Sequence, residues 1–149
     1  MYNIRVFCKN ISKNFVEEVL SFIDEGVFFD KDAKVLASDN EIQVQYNSLK
    51  EPIRISVYDK EADYSRKQIG DILFILSKSK ESSKRTFLES FLPQVNSTIR
   101  IQFTRAELND DTWLFLDSLE KHFAFTYDGI IHTDDEDFFD KNLKKIYRL

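Results

Sequence analysis

One cysteine, three glycines and two prolines in 149 residues set the first limits on this chain. Cys8 alone cannot close an internal disulfide, so the fold must hold by packing, as chains of a reducing cytoplasm do. Collagen-like and linker-like sequences need far more glycine and proline. Long apolar runs are also missing. The longest, Ile72-Leu73-Phe74-Ile75-Leu76, has five residues, where a membrane span needs about 20. The stretch Met1-Tyr2-Asn3-Ile4-Arg5-Val6-Phe7-Cys8-Lys9 lacks the apolar core of a signal peptide. These absences predict a cytoplasmic protein with no membrane contact.

What is present is aromatic: 14 Phe, 6 Tyr and one Trp. A chain of this length buries roughly two thirds of the surface its unfolded form exposes, which suits one domain over residues 1–149. Hydrophobic periodicity then orders the elements. Residues 2–8 alternate, with Tyr2, Ile4, Val6 and Cys8 on one side and the aromatic Phe7 on the other, as in a strand. Residues 12–25 repeat Phe15, Val16, Val19, Leu20, Phe22 and Ile23 at helical spacing, with Ser12 as the cap and Gly26 closing the helix in the left-handed conformation. Residues 34–37 and 41–46 form a hairpin around Ser38-Asp39-Asn40, followed by a strand through Ile53, Ile55 and Val57 that sets Arg54 and Ser56 on its polar side.

Over 64–78 the spacing favours a helix, although five consecutive apolar residues also suit a buried strand and Gly70 weakens a helix. A basic connector over 77–85 leads to a short helix carrying Phe87, Leu88, Phe91 and Leu92, ended near Pro93. Residues 98–104 are a strand with Arg100 and Gln102 on its polar side. Asn109 or Asp110 caps a helix over 111–123 that buries Leu114, Leu116, Leu119 and Phe123, with Trp113 beside them. Residues 125–132 read as a strand interrupted at Asp128-Gly129, and a last helix runs through Phe138, Phe139, Leu143 and Ile146. The expected fold is α+β, in the order β-α-β-β-β-α-α-β-α-β, with a mixed or antiparallel sheet and helices mainly on one face.

Net charge is −5, unevenly distributed. Residues 106–140 hold eleven carboxylates against Lys121 alone. The densest stretch, Asp134-Asp135-Glu136-Asp137, must face water or a cation, because an unpaired carboxylate is costly to bury. It reads either as a solvated loop or as a surface for a protein partner. In the second reading Tyr127 and Phe138 are aromatic anchors and Asp128, Asp134, Asp135, Glu136 and Asp137 form the charged rim.

No motif identifies a chemistry. The two histidines, His122 and His132, lack the spacing of a zinc site. The acidic run lacks the glycine that a calcium loop needs at its turn. Gly26, Gly70 and Gly129 are isolated, so no phosphate-binding loop forms, and the acidic balance opposes nucleic acid. No cofactor, metal or catalytic residue is therefore expected. A small enzyme using His132 beside carboxylates, or a subunit resting on an obligate partner through an apolar face, remain as alternatives.

The late block Trp113-x-x-Leu116-x-x-Leu119, then Asp128-Gly129-Ile130-Ile131, then Phe138-Phe139-Asp140, resembles small bacterial immunity proteins encoded beside polymorphic or contact-dependent toxins. Asp137 stands where typical members carry glycine. The resemblance implies a cytoplasmic, non-enzymatic inhibitor whose acidic surface holds a basic toxin domain inactive.

Overall fold

The computed structural model describes residues 1–26, 29 and 33–149. These form eight strands and four α-helices: β1 Tyr2–Cys8, α1 Phe15–Gly26, β2 Lys34–Ala37, β3 Glu41–Gln45, β4 Ile53–Asp59, α2 Asp63–Ser77, α3 Ser83–Phe91, β5 Ser97–Phe103, α4 Asp110–Thr126, β6 Gly129–Thr133, β7 Asp137–Phe139 and β8 Lys145–Arg148. The strands make one sheet in the order β2-β3-β4-β5-β1-β6-β7-β8, every pair antiparallel. The α+β class and the element order expected from the sequence hold.

Strand alternation decides where the core sits. Ile4, Val6 and Cys8 of β1 share a face with Ile42, Val44, Ile53, Ile55, Ile99, Ile101, Phe103 and Ile131. That face packs against Phe15, Val19 and Ile23 of α1 and Phe115, Leu116, Leu119 and Phe123 of α4. Each such side chain contributes about 1.5–3 kcal/mol when fully buried. The opposite parity exposes a second apolar group, Phe7, Ile130 and Phe138, which packs with Ile72 and Leu76 of α2, Leu88 and Phe91 of α3, and Leu92 and Val95. Helices therefore lie on both faces, α1 and α4 on one and α2 and α3 on the other. The expectation of helices mainly on one face fails because Phe7 is not an isolated aromatic. It is the centre of a second core.

Other boundaries move for local reasons. Gly26 ends α1 as a helical residue; no described glycine has positive φ. Ser12 Oγ accepts from the Asn14 N–H in the turn before α1, while Asn109 caps α4 by accepting from Thr112 N–H at 2.9 Å. Residues 64–78 resolve as helix, since Ile72 and Leu76 point into the second core. Leu114 is 60% exposed and Phe115 takes the buried position instead.

The strand expected over 125–132 begins only at Gly129, because Ala124 and Tyr127 still fall on the buried side of α4 and Asp128, at φ 50°, turns the chain. The expected last helix is the β7–β8 hairpin. Asp140 Oδ1 accepts from the Asn142 and Lys144 N–H groups, and Leu143 sits at φ 59°, a left-handed turn that a helix cannot contain.

Gly70 and Gly129 should respond oppositely to alanine. A Cβ at Gly70 meets open space in the middle of α2, whereas one at Gly129 meets Phe7 O and Val6 Cγ1 at 3.0 Å. Urea unfolding should show Gly70→Ala more stable by about 0.5–1 kcal/mol. Gly129→Ala should be less stable by roughly 1–3 kcal/mol.

Candidate functional site

The fold consumes the acidic segment internally. Asp134 Oδ1 meets Arg5 at 2.6 Å, and its Oδ2 accepts from the backbone and side-chain N–H groups of Asn3 at 2.8 and 3.0 Å. Asp135 pairs with Arg105 at 3.1 Å and accepts from Tyr2 Oη. Asp137 faces Lys145 at 3.1 Å and Arg148 at 3.7 Å, and Asp128 lies 4.0 Å from Lys9. Glu136 occupies the left-handed position of the β6–β7 turn at φ 68°, its carboxylate 3.3 Å from His132 Nε2. The cations come from outside the acidic stretch in sequence, and they pair Asp128, Asp134, Asp135 and Asp137.

The expected aromatic anchors are not available either. Tyr127 is 3% exposed, packed on Phe15 and Phe123, and its hydroxyl donates to Glu18. Phe138 is fully buried in the second core. The anchors read from residues 127–138 are thus buried, while Asp128, Asp135 and Glu136 of the rim remain exposed. His132 is equally enclosed: its ring stacks between Phe7 and Phe138, at centroid distances of 6.1 and 4.5 Å. Its Nδ1 lies 3.2 Å from Arg5 Nη1. Arginine can only donate, so Nδ1 accepts and the ring proton sits on Nε2, directed to Glu136. Burial, then the Arg5 charge, push its pKa down to about 4. A neutral ring closed in this way orders the turn and has no open side for a substrate.

What remains open is the other half of the second sheet face. In register across the sheet, Ser56, Arg100, Arg5, His132 and Phe138 form one row. Beside it run Gln43, Arg54, Gln102 and Asn3. Where α2 and α3 end, this face is polar: Gln43, Arg54, Arg100 and Gln102 are half-buried, while their neighbours on the first face are fully enclosed.

Three strands thus place an arginine on one surface. Arg5 is held by Tyr64 Oη at 2.9 Å, His132 and Asp134. Arg54 approaches Glu41 at 3.8 Å. Arg100 stands directly opposite Arg5, with no carboxylate within ion-pair distance among the described residues. Its guanidinium lies over the rings of Tyr58 and Tyr64, at 5.4 and 4.9 Å, and its Nε is buried without a hydrogen-bond partner.

This arginine trio was not singled out from the sequence. Its signal was there: Arg5, Arg54 and Arg100 each sit on the polar side of an alternating strand, and only strand order brings them together. A cleft of about 610 Å³ opens nearby, lined by Ser12, Asn14, Phe15, Asp39 and Asp59. A shallower depression shares Asn40 and Tyr58 with it and reaches Ser56 on the arginine face. Among the described residues, no group of three or more His, Cys, Asp or Glu side chains could hold a metal ion. None of their helices is long and apolar enough to cross a membrane.

Two buried groups set the pH response. Glu120, on the buried side of α4, has its pKa pushed up to about 8 by burial and by Asp117 one turn away. Folding therefore takes up a proton between pH 4.5 and 8, and stability falls as pH rises through that window. His132 acts with the opposite sign: its folded value lies below the ordinary 6.5, so stability is lost as pH falls from 6.5 towards 4.

The two slopes oppose one another between pH 4.5 and 6.5, and above that only Glu120 acts. Thermal melts should show a plateau there, then a loss on the order of 2 kcal/mol by pH 8. Glu120→Gln should abolish the alkaline loss and raise Tm at pH 8 by about 4–8 °C.

The chain matches no known protein family, no curated protein and no solved structure.

Proposed function

We propose that this chain is a non-enzymatic binding protein, an inhibitor of the immunity type, that meets a protein partner with the open polar half of its second sheet face. The observation that carries the reading is the division of that face. One half is sealed by α2 and α3 over Phe7, Ile130 and Phe138. The other presents Arg54, Arg100, Gln43 and Gln102 to solvent on a rigid, hydrogen-bonded platform. Polar groups on fixed strands suit recognition, because little side-chain freedom is left to lose on binding.

The resemblance of the late block to immunity proteins supplies the class of partner, a toxin domain. The expectation that this domain is basic rested on free carboxylates at residues 134–137. With those paired inside the chain, the arginine face favours an acidic contact instead.

A second reading has its own observation. Phe74 is 66% exposed and Phe87 44% exposed on α2 and α3, near a groove lined by Ile69, Leu73, Leu92 and Pro93. An obligate subunit would rest there.

A photo-crosslinking side chain placed in turn at Gln43, Asp135 and Phe87, in the native host, separates these readings. A one-to-one adduct from Gln43 alone is the expected result. An adduct only from Asp135 would return the contact to the acidic segment, and one only from Phe87 would establish the subunit reading. No adduct at any position would overturn both.

A further inference from the structure

We infer that Arg100 is the anchor of this face and that it receives a single carboxylate, an Asp or Glu side chain presented by the protein partner. The inference rests on the reading that the open polar face is the contact surface, and it adds the chemistry of the contact.

The first argument is electrostatic. Like charges directly opposite on neighbouring strands destabilise a sheet, and Arg100 faces Arg5 in exact cross-strand register. Arg5 is neutralised by Asp134 and hydrogen-bonded by Tyr64 and His132. Arg54 has Glu41. Arg100 is the arginine of the three with no counter-charge among the described residues.

The second argument is hydrogen bonding. Buried donors are nearly always paired, yet Arg100 Nε is buried and unpaired. The intramolecular partners are neutral rings. Tyr58 and Tyr64 lie 4.6 Å apart and support the guanidinium by cation–π contact, which fixes its plane without using its N–H donors. Tyr64 is itself fixed by accepting from Arg5 Nε. The result is a guanidinium held in place by rings, its N–H donors left for an oxygen acceptor such as a carboxylate or phosphate.

Two facts choose the carboxylate of a protein over the phosphates of a nucleic acid. Only one guanidinium is uncommitted, whereas a phosphate backbone needs several cations in line. The other two arginines already carry carboxylates, Asp134 and Glu41, which repel an extended polyanion.

The test reads the arginine Nε–H resonances of the intact, ¹⁵N-labelled chain by NMR during titration with N-acetylglutamate amide, inorganic phosphate and a single-stranded oligonucleotide. The expected result is a saturable shift of the Arg100 resonance with the glutamate derivative, with Arg5 unmoved. No shift of Arg100 with any probe would overturn the inference, as would tighter binding of the oligonucleotide than of the carboxylate.

Partner affinity supplies a second reading on variants whose melting shows them folded. Arg100→Gln and Arg100→Lys should each weaken binding about tenfold or more, because lysine restores the charge without the fork. Full rescue by lysine would overturn the anchor role. An adduct at Gln43 with unchanged affinity in Arg100→Gln refutes the anchor alone. A shifting Arg100 resonance without a Gln43 adduct refutes the contact surface alone.

Discussion

The buried guanidinium of Arg5 is the constraint around which the rest is arranged. It lies at 7% exposure in the middle of a central strand, a placement that costs several kcal/mol unless its charge and donors are met. Three elements meet them. Tyr64 comes from the first turn of α2, His132 from β6 and Asp134 from the β6–β7 turn. Asp134 then holds Asn3 twice more, so the turn is laced back onto β1. Burial works against the ionised form of Asp134, but the hydrogen bonds from Arg5 and Asn3 outweigh it and keep its carboxyl below the ordinary value. Burial, and then the Arg5 guanidinium 3.2 Å from its ring, keep His132 neutral.

That network divides the second sheet face. On its far side from β5, Phe7, Phe138 and the two helices exclude water. On the side of β4 and β5, α2 reaches only as far as Tyr64 and Ser65, and beyond them Gln43, Arg54 and Gln102 stay half-buried. Asp134, Asp135 and Asp137 are therefore counter-charges to Arg5, Arg105, Lys145 and Arg148.

Period-two and period-3.6 patterning made the strands, most helices and the α+β class legible. The cap of α4 was legible as Asn109 or Asp110, polar residues just before an apolar helix, and the Asn109 side chain takes the role. The last 15 residues were not, since Phe139 and Leu143 at i, i+4 spacing mimic a helix, and only the side-chain hydrogen bonds of Asp140 reveal the turn between them. The second core was half legible. Phe7 stood on the polar side of β1, but its partners Ile130 and Phe138 come from strands more than 120 residues later. The pairing of the acidic segment was not legible for the same reason. Charge was summed along the chain, while pairing is decided by strand neighbours such as Arg5 and His132, 127 positions apart.

The most direct test of this account is a double-mutant cycle on stability with Arg5→Met and Asp134→Asn, measured by urea unfolding at pH 7. If the segment serves as internal counter-charge, each single variant is strongly destabilised and the coupling is about 1–3 kcal/mol. A coupling near zero, with Asp134→Asn as stable as the parent, would contradict it and return the acidic residues to the surface as free groups.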